Sequence, residues 1–346
     1  MNRREFLSAA AALGACALVP STNANANARP IQPACQRRIL ILIALNGGND
    51  GLNTVIPFAD PAYVALRPTI GIRRDHVLQL DERTGLHPSM QPLMPLWRDG
   101  KLAIVQGVGY PQQNLSHFRS MEIWDTASHA NQYLHNAWLA RAFGAETAAP
   151  GFATTTGSAE WRPFSDAALP DSSPTHKQPL RTLFPADPFG RSIKTAMETL
   201  ASAQAVSVIR LTLNGFDTHQ NQPIQHARLL GQLSDGLVAL QSALTELARW
   251  NDTLVMTYAE FGRDPRENGS RGTDHGTAAP HFVMGGRVSG GLYGVAPALA
   301  RLDGNGRLPM TVDFRQMYAT VLRSWRSMDA DAILGGKFET LPLLRA

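Results

Sequence analysis

The chain has 346 residues, with 32 basic and 28 acidic side chains and a formal net charge of +4. No Lys/Arg block interleaves with aromatics, which excludes nucleic acid as a partner class. Hydrophobic residues make up 44% of the chain, enough to bury a large core without staples.

In chain order, the first element is a leader. MNRREFL sets Arg3 and Arg4 ahead of Phe6 and Leu7, and the apolar run SAAAALGACALVP and the small residues of NANANA follow. This is the layout of a twin-arginine export signal over residues 1–28. It predicts a single mature domain at 29–346, passage through the twin-arginine translocase, and a periplasmic or secreted destination. A second reading stays open, because Leu13-Gly14-Ala15-Cys16 loosely resembles a lipoprotein cleavage box that would leave a lipid anchor at Cys16. Ordinary cleavage would leave Cys35 alone, so no intrachain disulfide is expected. No later segment approaches the roughly 20 apolar residues of a stable membrane span.

Next come four apolar runs that stop at glycine: Ile39 to Leu45, then 101–109, 206–215 and 253–262. Such runs predict strands buried on both faces, as in a parallel sheet. Between the last two, Ile224, Ala227, Leu230, Leu233, Leu237, Leu240, Leu244 and Leu247 recur at three- and four-residue steps, predicting one long amphipathic helix over 223–250. Strand, helix, strand in succession gives the fold class α/β, with a mostly parallel central sheet sandwiched by helices. Residues 150–190, rich in Pro, Ser and Thr, read as an irregular excursion, either a lid or a decoration. Near the C-terminus, Asp313 and Gln316 have capping-box spacing and predict a closing helix.

Ligands of open parallel sheets bind outside the carboxyl ends of the strands. There the sequence places Asn49 and Asp50, Ser116, Asp217 and His219, Glu260 and Arg263, with Asp274 and His275 shortly after. Residues two apart in extended chain share a side, so Asp217 and His219 can face one ion. A mixed oxygen and nitrogen set suits zinc or manganese, or magnesium or calcium where carboxylates prevail. Blander readings exist one residue at a time: Asp50 or Ser116 as helix caps, Glu260 paired with Arg263, Asp274 merely orienting His275. Compatible ligands at four separate strand ends favour a metal site over these.

The segments LNGGNDGLNTVIP, GLHPSM, GVGYPQQNLSHF, GFDTH, YAEFGR, ENGSRGTDHG and FVMGGRVSGG, with the leader, resemble the bacterial exported proteins of domain-of-unknown-function family 1501. That family is grouped with the alkaline phosphatase and sulfatase superfamily. The resemblance implies an alkaline phosphatase-like fold, two divalent metal positions and a nucleophile between them. Matched residue by residue, Asp50, Asp217, His219, Glu260 and His275 fall at metal-ligand positions and Ser116 at the nucleophile. Phe261 stands where a ligand histidine is expected. A rival alignment takes Asp274-His275-Gly276 as the second ligand pair, with His281 as the later histidine. Asn49, Arg119 or Arg263 would hold the anion.

Three functions are in competition. One is an exported metal-dependent hydrolase of small phosphate or sulfate esters, with Ser116 attacking phosphorus or sulfur. Another is a non-catalytic binding or assembly protein whose site has decayed. The last is a one-metal or calcium-stabilised structural protein.

Overall fold

The structure, a computed structural model, describes residues 38–143, 152–154, 179–202 and 206–345. The leader, Cys16, Cys35 and most of the predicted excursion lie outside those residues. All the described residues fall within one compact unit, 34–346.

The sheet contains strands β1 (Ile39–Asn46), β2 (Leu102–Gly109), β3 (Phe152–Thr154), β4 (Val208–Asn214), β5 (Thr253–Tyr258), β6 (Ala279–Met284), β7 (Gly291–Tyr293) and β8 (Val312–Asp313). Their order is β7-β2-β6-β5-β1-β4-β3, and β8 also pairs with β2. Central β1 runs parallel to β4 and β5, whereas β6 runs antiparallel to both β2 and β5. The sheet is therefore mostly parallel, and the predicted α/β class is the one observed.

Alternation along β1 explains its unbroken apolar run. Ile39, Ile41, Ile43 and Leu45 point to one layer, while Leu40, Leu42 and Ala44 point to the other. Because both layers are covered, period-2 alternation leaves no polar position. The first layer is built on helices α2 (Pro188–Ala201) and α3 (Gln222–Glu246). The second is built on α1 (His117–Thr126) and α4 (Phe314–Ala319). Within α3, Leu230, Leu233, Leu237, Leu240 and Leu244 are buried as their spacing predicts, whereas Ile224 is 82% exposed. The Asp313/Gln316 capping box forms, and α4 widens after one turn and a half into a π-helical stretch at Thr320–Trp325. Residues 188–190, read as the end of the irregular excursion, instead open α2 behind an Asp187 cap that accepts from the Phe189 and Gly190 N–H groups. Among the described residues, no helix is long and apolar enough to cross a membrane.

Candidate metal centre

The sheet register assembles the site. Asn46 pairs with Asn214 and Ala44 with Tyr258, so the segments leaving β1, β4 and β5 emerge side by side. They touch backbone to backbone. At Gly47 (φ +112°) a Cβ would stand 2.2 Å from the Asp217 nitrogen, so no larger residue fits. Arg263 pins the three together. Its buried guanidinium donates to the carbonyls of Gly48 (2.8 Å), Phe216 (3.0 Å) and Thr273 (2.9 Å), and also to the Gly47 carbonyl and the Asp217 carboxylate.

Three imidazoles converge on Asp217. His219 Nε2 and His275 Nε2 each lie 3.1 Å from Asp217 Oδ1, and His117 Nε2 lies 3.5 Å from Oδ2. The two nitrogens of His219 and His275 are themselves 3.1 Å apart. His117, Asp217 and His275 offer ligand atoms all within 4.8 Å of one another. The far side of each ring is tied to an acceptor. His275 Nδ1 donates to the Leu115 carbonyl (2.9 Å), His117 Nδ1 to Glu260 Oε1 (2.7 Å) and His219 Nδ1 to Asp274 Oδ1 (3.1 Å). A carbonyl or ionised carboxylate only accepts, so each Nδ1 carries a proton; an Nε2 that faces Asp217 then either bears a second proton or gives its lone pair to a cation. The bond to Glu260 raises the His117 pKa, whereas burial lowers that of His275. Burial opposes ionisation of Asp217, but Arg263 outweighs it and holds the carboxyl below its usual range.

Of the predicted ligands, Asp217, His219 and His275 meet as inner groups. Glu260 and Asp274 join them in the outer role, each orienting a histidine through the oxygen that accepts its Nδ1–H. Glu260 also accepts from the Gly47 N–H at 2.8 Å. Asp274 orients His219 rather than His275.

Other expectations need correction. Asp50 is fully buried and its Oδ2 binds Arg67 Nη1 at 2.6 Å and the Gln222 side-chain amide. Burial would push its carboxyl up; Arg67 outweighs that and holds it down. A guanidinium thus occupies the cation's place at Asp50. Asn49 turns inward as well, its Oδ1 meeting Thr54 Oγ1 at 3.1 Å and His226 Nε2 at 2.9 Å. Arg119 pairs with Glu122 (2.8 Å), donates to the carbonyls of Ala130 and Gln132 and stacks on Tyr133. Arg263 has its nitrogens committed to the pinning just described. By contrast, Asn49 Nδ2 and Arg119 Nε are buried without a hydrogen-bond partner among the described residues. His281 of the rival alignment is buried against Trp124, apart from this cluster.

Ser116 is exposed and is the N-cap residue of α1, yet its side chain makes no capping bond. It lies between Leu115, whose carbonyl orients His275, and His117. His117 joins the cluster although it is not among the ligands expected from the sequence. It stands beyond the end of β2 beside Ser116, and no local spacing sets it apart as a ligand. Phe261 does not ligate; its ring packs 4.9 Å from His117 and 4.6 Å from His275, centroid to centroid.

Residues 167–334 match the family described as Protein of unknown function (DUF1501). That stretch, a little under half of the chain, is similar to the DUF1501 family. The DUF1501 match takes in Asp217, His219, Glu260, Arg263, Asp274 and His275, and it begins downstream of Ser116 and His117. No curated protein matches the chain. Among solved structures, the chain is similar to the zinc complex of the C-terminal periplasmic domain of EcEptC from Escherichia coli, at 10% identity and a TM-score of 0.37 over 72% of each chain. It is also similar to a Bacteroides thetaiotaomicron protein from a locus for glycosaminoglycan metabolism (BT33494S-sulf), at 10% identity and a TM-score of 0.43 over 87% of this chain and 75% of that one.

Proposed function

We propose that this chain is an exported metal-dependent hydrolase of small phosphate or sulfate esters, built on a single divalent cation, with zinc favoured. The observation that carries this reading is the inward convergence of three Nε2 atoms on one carboxylate, with every Nδ1 held by an acceptor. Bare imidazole nitrogens 3.1 Å apart repel unless a proton or a cation lies between them. Outer carboxylate and carbonyl partners of this kind orient metal-binding histidines. Three nitrogens and one oxygen suit tetrahedral zinc better than the all-oxygen shells of calcium or magnesium.

His117, His219, His275 and Asp217 would hold the ion. Bound there, it would supply Lewis-acid polarisation and neutralise charge on the ester oxygens. Ser116 offers the hydroxyl nucleophile, its oxygen free of the helix cap and its backbone fixed between two residues that serve the cluster. Glu260 sets the tautomer of His117, and Phe261 walls the two rings from the core. With Arg119 and Arg263 engaged elsewhere, recognition of an anionic substrate falls to the cation itself. Export through the twin-arginine translocase would allow folding around the ion before secretion, consistent with the leader.

A panel of chromogenic phosphomonoesters, phosphodiesters and sulfate esters, run with zinc beside Ser116→Ala, tests this. Turnover that disappears in Ser116→Ala supports the assignment; no turnover, or equal turnover in the variant, refutes it. One observation favours the non-catalytic alternative: Arg263 already neutralises Asp217 in the way a decayed site would retain. In that case, zinc binds without any ester being cleaved.

A further inference from the structure

We propose that Gln222 is a positioning residue that sets the spacing of the histidine cluster, acting through the hydroxyls of Thr218 and Thr273. This inference rests on the metal reading above. Gln222 is the first residue of α3 and is fully buried. Its Oε1 accepts from Thr218 Oγ1 at 2.9 Å and from Thr273 Oγ1 at 2.6 Å, while its Nε2 donates to Asp50 Oδ2. Two hydroxyl donors at one end and a carboxylate acceptor at the other leave the amide a single orientation.

The two threonines are placed where such a clamp acts on ligands. Thr218 stands between Asp217 and His219, and Thr273 precedes Asp274 and His275. One amide oxygen therefore joins the two loops that carry the facing nitrogens of His219 and His275. The loops also meet through their backbones: the Thr273 N–H donates to the Thr218 carbonyl at 3.2 Å, and a Cβ at Gly272 would stand 2.2 Å from the His219 carbonyl oxygen. Arg263 takes the Thr273 carbonyl at 2.9 Å, linking the same loop to Asp217. Asp50 gains a role here: held by Arg67, it anchors the amide that aligns the cluster, which accounts for a strand-end aspartate kept out of solvent. Gln222, Thr218, Thr273, Asp50 and Arg67 are all buried, and among the atoms of the clamp only Asp50 Oδ1 lacks a partner among the described residues; a buried network this nearly satisfied restricts the loops to one geometry.

Thr218→Val/Thr273→Val removes both hydroxyls at nearly constant volume, and the Thr→Ser pair at the same positions restores them. Zinc affinity is read by competition with a chromogenic chelator, beside the melting temperature of the metal-free protein. Weakening of at least about tenfold in the valine pair, the low end for outer-shell partners, with the serine pair within about twofold of wild type, is the expected result. A valine pair that melts earlier but binds zinc as tightly as wild type overturns the proposal and leaves Gln222 a purely structural group. If the double variant does not fold, Thr273→Val alone is measured against the same criterion. Absence of zinc binding by wild type overturns the metal reading itself and this inference with it; wild-type binding with unaffected variants overturns this inference alone.

Discussion

His219 Nε2 faces His275 Nε2 at 3.1 Å, and both lie 3.1 Å from the same oxygen of Asp217. The two rings come from loops 56 residues apart in sequence, so their approach reflects the crest of the sheet and not local chain geometry. If that approach serves a cation, His275→Ala should weaken zinc binding more than the roughly 10–100-fold typical of outer-shell partners. Calorimetric titration checks this, and the metal-free variant should melt close to wild type because its ring is partly exposed.

Glu260→Gln separates the outer role from the inner one. The amide can still accept from the Gly47 N–H, but it binds His117 more weakly than a carboxylate does. Zinc affinity should fall about 10–100-fold with little change in stability. Glu260→Ala should in addition cost about 1–3 kcal/mol, because the Gly47 N–H loses its partner. Urea denaturation of the two variants distinguishes these effects.

Asp50 and Arg67 form a buried ion pair, so removing one partner strands the other. Arg67→Ala should destabilise the fold by about 3–5 kcal/mol. Asp50→Asn should leave zinc stoichiometry unchanged when measured on the folded fraction. A loss of stoichiometry there, with the Thr218→Val/Thr273→Val pair still binding one zinc, would restore Asp50 as a ligand.

Much of this arrangement was legible in the sequence. The runs at Ile39, 101, 206 and 253 are apolar on both faces and stop at glycine, so their strands and the polar crest beyond them follow from period and punctuation. β6 was not legible as a strand: Pro280 and His281 interrupt Ala279–Met284, and its antiparallel pairing on both edges is decided by tertiary context. The ion pair at Asp50 left no local signal either, since burial of Arg67 depends on distant carbonyls such as that of Pro265, 2.9 Å from its Nε. His117 shows a different loss: it stands beside Ser116 with no local spacing to set it apart as a ligand.

Acid should destabilise the fold through buried histidines. Burial pushes His226 and His281 down to about 3 and His87 to about 4. Their folded pKa values lie below the unfolded value near 6.5, so the unfolded chain takes up protons first. Stability from keeping them neutral is complete above that value and declines as pH falls toward 3. His281→Leu should therefore narrow the gap in unfolding free energy between pH 7 and pH 5 by about 2 kcal/mol, read by urea denaturation at both values.

The most direct test of the central claim is zinc K-edge X-ray absorption on the wild-type protein loaded with one equivalent of zinc. The account predicts a four-coordinate shell dominated by imidazole nitrogen at about 2.0–2.1 Å with a single carboxylate oxygen. An all-oxygen shell, or zinc that stays in solution, would contradict it.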